Sequence, residues 1–153
     1  MMNDKVSYRI GDINDVAQIF NIENESISDG RSETIIRNQF LEIPTENHEQ
    51  ITIVAENDGI IGYVSVSRII DELDIDTIAV KSEYRGRHIG QSLMEVLVDT
   101  AKESGCSKIM LEVRESNIPA RKLYEKCGFS QVGVREGYYT DNNENAILMD
   151  KKI

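Results

Sequence analysis

Apolar and polar positions along this chain alternate between two periods, and the changes of period mark out its elements. Residues 6–10 read as a first strand; Asp12 then caps a helix with Ile13, Val16, Ala17 and Phe20 on one face and Asp15 in its first turn. Residues 21–31 are polar and acidic, with Glu23, Glu25 and Asp29, and Gly30 breaks the pattern. Ser32 caps a second helix carrying Ile35, Ile36, Phe40 and Leu41, which Pro44 ends, and residues 44–50 form a loop. Residues 51–56 and 60–68 are strands joined by Asn57-Asp58-Gly59, a strong hairpin signal. In residues 73–80, Leu73, Ile75, Thr77 and Ala79 alternate with Asp74, Asp76, Ile78 and Val80, a strand that turns apolar at its end. A long helix follows, with Ile89, Leu93, Val96, Leu97 and Ala101 on one face and Gly105 at its C-cap. Residues 108–114 form another strand, with Ile109, Leu111 and Val113 opposite Met110, Glu112 and Arg114. Pro119 opens a helix with Ala120, Leu123, Tyr124 and Cys127 at helical spacing, and Gly128 closes it. Residues 131–138 and 146–151 read as a closing antiparallel pair. The order β-α-α-β-β-β-α-β-α-β-β predicts an α/β sandwich around one mixed sheet, with no internal repeat or linker.

Composition narrows the class. At 153 residues, 40% hydrophobic and 29% charged, the chain reads as a single globular domain rather than a disordered one. No run approaches the ~20 apolar residues of a membrane span, and Met1-Met2-Asn3-Asp4-Lys5 lacks the apolar stretch of a signal peptide. Cys106 and Cys127 fit no metal-ligand spacing, so no metal is expected; they suit reduced thiols in a cytoplasmic protein. A formal charge of −10 speaks against a nucleic-acid partner.

Charge is unevenly spread. Residues 81–90 carry Lys81, Arg85 and Arg87 against Glu83, a net +2 that leaves −12 for the rest. This basic turn lies between a strand and a helix N-terminus, where unpaired N–H groups and the helix dipole converge. Gly86 and Gly90 would serve a plain tight turn equally well, but a basic island in an acidic chain points to a bound polyphosphate. The segment lacks both the Gly-Lys-Ser/Thr ending of a P-loop and the spacing of a dinucleotide fingerprint.

Arg85-Gly86-Arg87-His88-Ile89-Gly90 after an apolar strand resembles the Q/R-x-x-G-x-G/A signature of the GCN5-related N-acetyltransferases. Further on come Leu111-Glu112-Val113-Arg114-Glu115-Ser116-Asn117, Leu123-Tyr124-Glu125-Lys126-Cys127-Gly128-Phe129, Arg135-Glu136-Gly137-Tyr138-Tyr139 and Glu144-Asn145-Ala146-Ile147-Leu148-Met149. In this order they are similar to the ribosomal-protein-alanine branch of that superfamily. The match is good over residues 73–150 and only one of pattern before them. The resemblance implies one mixed sheet flanked by helices on both faces, and acetyl-coenzyme A as co-substrate. It implies that Arg85, Gly86, Arg87, His88, Ile89, Gly90 and Gln91 hold the pyrophosphate through backbone amides. Here His88 stands where the signature usually has its middle glycine; a site needing only an N–H at negative φ would accept it, and that is the expectation.

Acetyl transfer from a thioester to an amine requires a deprotonated amine, a polarised carbonyl, a held oxyanion and a leaving thiolate helped by a proton. Glu112, mid-strand, would by habit be an exposed side chain; the resemblance makes it the base, acting directly or through water. Tyr124 would by habit be core; the resemblance puts its phenol beside the coenzyme sulfur as the acid. Asn117 fits a plain N-cap, and the resemblance implies a hydrogen bond to the coenzyme. Ile78, Ala79 and Val80 would contribute backbone: the implied fold parts this strand from the one carrying Glu112, the pantetheine pairs with its edge, and an N–H near Ala79 faces the acetyl oxygen. Cys127 reads as a small core residue.

The acceptor implied by the branch is a protein N-terminal α-amine, whose pKa of ~8 against ~10.4 for lysine makes a weak base sufficient. Tyr138 and Tyr139 would line its groove. The acidic segments 21–29 and 141–144 would either attract a cationic acceptor or simply be solvated surface. Two alternatives stay open: acetylation of a small amine such as a polyamine or aminoglycoside, and a non-catalytic acetyl-coenzyme A sensor. The sequence is silent on oligomeric state.

Overall fold

A computed structural model describes residues 5–153, so Met1 to Asp4 lie outside the described residues. Seven strands form one sheet in the order β1-β2-β3-β4-β5-β7-β6. They are β1 (Ser7–Ile10), β2 (His48–Glu56), β3 (Ile60–Ile69), β4 (Glu72–Val80), β5 (Lys108–Arg114), β6 (Ser130–Tyr139) and β7 (Glu144–Lys152). The helices are α1 (Val16–Ser26), α2 (Glu33–Leu41), α3 (Ile89–Glu103) and α4 (Ile118–Lys126). Only the β4–β5 pair is parallel; the other neighbours are antiparallel, so the sheet is mixed as expected. Among the described residues no helix is long and apolar enough to cross a membrane.

Both faces of the sheet are covered. On one, Ile89, Leu93, Met94, Leu97 and Ala101 of α3 pack on Val64, Val66, Ile109 and Leu111. On the other, Val16, Ile19 and Ile22 of α1 and Ile36 of α2 pack on Val54, Tyr63 and Ala79. The entry to α1 is fastened by charge. Asp12 and Asp15 form a capping box around a short 3-10 turn, and Arg9 of β1 holds the Asp15 carboxylate in a two-pronged contact at 2.8 and 2.9 Å. That pairing lowers the Asp15 pKa despite burial.

Two departures from the sequence reading matter for function. First, α1 runs to Ser26, well into the segment read as polar and acidic, because Glu23 is buried and paired inside the fold. Second, β4 does not keep a single alternation. Its register against β3 slips between Ser65↔Thr77 and Val66↔Ile75, leaving Asp76 as an extra residue in a bulge. Leu73 and Ile75 before the bulge, and Ile78 and Val80 after it, therefore all belong to the α3 face, while Ala79 turns to the α1 face. Regular alternation had placed Ala79 with Leu73 and Ile75; the bulge inverts that parity.

Candidate active site

The bulge lies where β4 and β5 separate. They pair only through Glu72↔Lys108, Leu73↔Ile109 and Asp74↔Met110. Beyond that the strands diverge, and two cavities of about 830 and 520 Å³ occupy the gap. Both are walled by Ser26, Ile27, Ile78, Asn117 and Tyr124, so they meet there.

The larger cavity collects most of the expected coenzyme loop. Ile78, Ala79, Val80, Arg85, Gly86, His88, Ile89, Gly90 and Gln91 line it. Arg87 does not; its guanidinium lies 5.1 Å from the centre of the Tyr84 ring, and Tyr84 takes a place in the wall instead. Arg85 is tied inward, its Nε donating to the Val80 carbonyl at 3.2 Å and its Nη2 to Ser26 Oγ at 3.2 Å. Gly86 and His88 both have left-handed backbone, φ 77° and 62°. This corrects the expectation of a negative φ at His88. The chain must reverse twice between the end of β4 and the first turn of α3, and a left-handed residue directly before Ile89 makes the second reversal. Histidine tolerates that region better than a β-branched residue would. Such a turn aims successive N–H groups into one concavity, a geometry suited to phosphate.

His88→Gly should remove the left-handed penalty and, net of the added unfolded-state freedom, stabilise the protein by up to about 1 kcal/mol. Thermal unfolding measures this; a lower melting temperature would mean that the imidazole makes a contact that outweighs the strain.

The smaller cavity holds the candidate base. Glu112 projects from the face of β5 opposite the core residues Ile109, Leu111 and Val113, and Arg135 Nε lies 3.3 Å from its Oε1. Tyr139 also lines this cavity; Tyr138 sits outside its wall but next to Glu112. The Glu112 carboxylate, through hydrogen bonding and charge, and then burial, push the Tyr138 phenol above its ordinary value. Asp74 is raised to about 6 by burial, then by Asp76, then by Glu112. Asp76 and Glu112 thus place two carboxylates in the wall of the smaller cavity, with Asp74 beside them.

Tyr124 stands between the cavities. It is 6% exposed, and among the described residues its hydroxyl forms no hydrogen bond. Burial, then the neighbouring Tyr139 and Cys127, raise it to about 12, so it is protonated at neutral pH. Asn117 lines both cavities and also caps α4, its side chain accepting from the Ala120 N–H at 3.3 Å, so the two readings of this residue coexist. Cys127 lines neither, and burial raises its thiol.

Several wall residues were not singled out in the sequence. Arg114 shares the face of Glu112, binds Asp141 at 2.9 Å and Glu144 at 3.4 Å, and covers the Tyr139 ring at 4.0 Å. Glu144 also accepts from the Ser116 N–H at 2.6 Å. Asp141 and Glu144 are therefore engaged by Arg114 within the fold, and Glu23 is buried, whereas Glu25 and Asp29 of the first acidic segment are exposed. The α1–α2 loop supplies Ser26 and Ile27 to both cavities and Arg31 to the smaller one. The Leu-Glu-Val-Arg run marks Arg114 at the strand end, but nothing local distinguishes Ile27.

Comparison with known proteins matches this architecture. The model of the acetyltransferase (GNAT) family matches residues 14–129. A Bacillus subtilis (strain 168) protein provisionally named a ribosomal protein bS18-alanine N-acetyltransferase is 35% identical over 149 residues, covering 97% of this chain and 96% of the relative. The ribosomal protein bS18-alanine N-acetyltransferase of Haemophilus influenzae is 41% identical over 97 residues, 61% of this chain and 66% of that protein. The crystal structure of the Escherichia coli ribosomal-protein-S18-alanine N-acetyltransferase superposes with a TM-score of 0.84 at 27% identity, covering 97% of this chain and 94% of that one. With a family match over most of its length and a relative aligned end to end, this chain belongs to the GNAT family of N-acetyltransferases.

Proposed function

We propose that the protein acetylates the N-terminal α-amine of a protein, of the ribosomal-protein-alanine type, using acetyl-coenzyme A. The observation that carries the reading is the meeting of two compartments at Tyr124. One has the concave, N–H-rich turn suited to a pyrophosphate; the other has a carboxylate, Glu112, at an open mouth. The names of the aligned relatives support this acceptor.

The cavity of about 830 Å³ fits a long, narrow co-substrate, and its wall combines apolar Ile78, Val80 and Leu123 with the glycine-bearing turn. The co-substrate supplies the acetyl group as a thioester. Ile78 to Val80 present a strand edge without a β5 partner, and the backbone groups on that edge, apart from the Val80 carbonyl that Arg85 holds, can bind amide groups of an extended ligand. Glu112 takes the proton of the attacking amine, directly or through one water. Tyr124 gives its proton to the leaving thiolate. A phenol at about 12 looks too weak for a thiol of pKa ~8.5. The burial that raises the phenol raises the thiol beside it as well, so the gap narrows.

Mass spectrometry should show a single acetyl group on the α-amine of the N-terminal hexapeptide of ribosomal protein bS18. Polyamines and aminoglycosides tested alongside should stay unmodified. Acetylation of the small amines alone would replace the proposed acceptor with the small-amine alternative. Titration calorimetry with coenzyme A should show binding that weakens when Gly90 is replaced by leucine. Even a Cβ there meets Leu123 Cδ2 at 3.4 Å, and a longer side chain must enter the cavity.

A further inference from the structure

The α1–α2 loop is one wall of the Glu112 compartment, and a buried charge network anchors it, with Glu23 and Arg31 themselves reaching the cavity wall. Glu23, on α1, has no exposed surface, and neither has Tyr63 of β3. Tyr63 donates its hydroxyl proton to Glu23 Oε1 at 2.6 Å. Arg31, at the far end of the loop, approaches the same carboxylate with Nη2 at 2.6 Å and Nε at 3.1 Å, and its backbone N–H donates to Glu23 Oε2. The remaining Arg31 nitrogen donates to Ser65 Oγ at 3.3 Å and to Gln39. One carboxylate thus gathers both ends of residues 23–31 onto β3. The loop is drawn so close that a Cβ at Gly30 would stand 3.0 Å from Glu23 Cγ. Burial pushes the Glu23 carboxyl up, but the Arg31 and Tyr63 hydrogen bonds and the Arg31 charge outweigh it and leave it ionised.

This arrangement is an expensive way to hold a helix. Two charges out of water recover little net stability compared with apolar residues of similar size, and one best-attested use of such groups is to specify a single arrangement. The arrangement specified here is functional in position. Tyr63 pairs with Ala79, three positions past Asp76 on β4, so the network joins the acceptor wall to the strand that lines the co-substrate cavity.

We infer that Glu23, Arg31 and Tyr63 are positioning residues: they hold residues 26–31 as a preformed wall for the acceptor, and so set the acceptor KM without taking part in the chemistry. The inference rests on the proposed acceptor compartment but not on which amine fills it.

Tyr63→Phe tests it, since Tyr63 lines neither cavity, the ring and its packing stay, and only the donor to Glu23 is lost. A hydrogen bond to a buried carboxylate stabilises enough that the peptide KM should rise about tenfold. The kcat and the KM for acetyl-coenzyme A should stay at wild-type values. Amide hydrogen exchange of residues 26–31, measured without substrates, should accelerate by a similar factor. A lower melting temperature with unchanged acceptor KM and unchanged exchange in this loop would reduce the network to a stability element and overturn the inference. If the wild type acetylates only small amines, the proposed acceptor fails, and the network is judged on exchange and on the KM for that amine.

Discussion

Glu112→Gln is expected to lower kcat/KM by about 10³-fold at neutral pH, within the range for loss of a general base. The substitution keeps the shape of the side chain on the polar face of β5, so the core side, Ile109, Leu111 and Val113, is untouched. Coenzyme affinity should not change, because Glu112 lies in the smaller cavity and not among the residues of the larger one. The pH dependence gives a second handle. An α-amine of pKa ~8 sheds its own proton as pH rises through that value, so the mutant's deficit should narrow above it. Asp74 gives an internal control: removing the Glu112 charge removes one of the causes that raise it to about 6, so the folded protein should lose no stability at neutral pH. Steady-state rates from pH 6 to about 9.5 with an N-terminal peptide would expose these features. Full activity at pH 7 would exclude Glu112 as the base and shift attention to Asp74 and Asp76, its carboxylate neighbours.

Tyr124→Phe is expected to cost about 10²-fold in kcat while leaving stability close to wild type. Removing a buried hydroxyl usually sacrifices a hydrogen bond worth about 1 kcal/mol, but among the described residues this hydroxyl has none to lose. The ring stays 6.1 Å from Phe129, so no void forms. The melting temperature should hold, since the hydroxyl group borders the two cavities and the substitution leaves the packing of the ring unchanged. Loss of turnover with retained stability would mark the hydroxyl as serving the reaction. Loss of stability with retained turnover would make Tyr124 a packing residue. Measuring kcat and melting temperature on one preparation separates these outcomes.

Most of the element order was legible because each element carries its own local signature. The Asn57-Asp58-Gly59 turn, the Ser32 cap and the Gly105 C-cap all stand where the pattern placed them. The strand over 108–114 has the read boundaries, since buried Ile109, Leu111 and Val113 alternate with Lys108, Met110, Glu112 and Arg114. Properties that depend on a distant partner were not legible. Glu23 looks like surface because acids usually are; its partners Arg31 and Tyr63 lie 8 and 40 positions away. The bulge at Asp76 is invisible because alternation can be read with or without one extra residue, and only the register of β3 decides. At His88 the sequence shows a non-glycine residue in a glycine position but not which way the backbone turns. One wall of the smaller cavity comes from the α1–α2 loop, whose residues carry no local signature, so nothing in their order distinguishes Ile27 from any other loop isoleucine.

The brief pairing of β4 with β5 has a mechanical side. Three residue pairs join them, whereas β3 pairs with β4 at eight positions and β5 with β7 at seven. The sheet is therefore two stiff plates, one of four strands and one of three, meeting along a short seam. Relative motion concentrates where the fewest rungs must bend, and that line runs directly beneath the cleft. An extended ligand lying against the free edge of β4 supplies rungs that the fold itself lacks. Filling the cleft is thus expected to complete the sheet and stiffen the protein, which slower amide exchange along the facing edges of β4 and β5 would show.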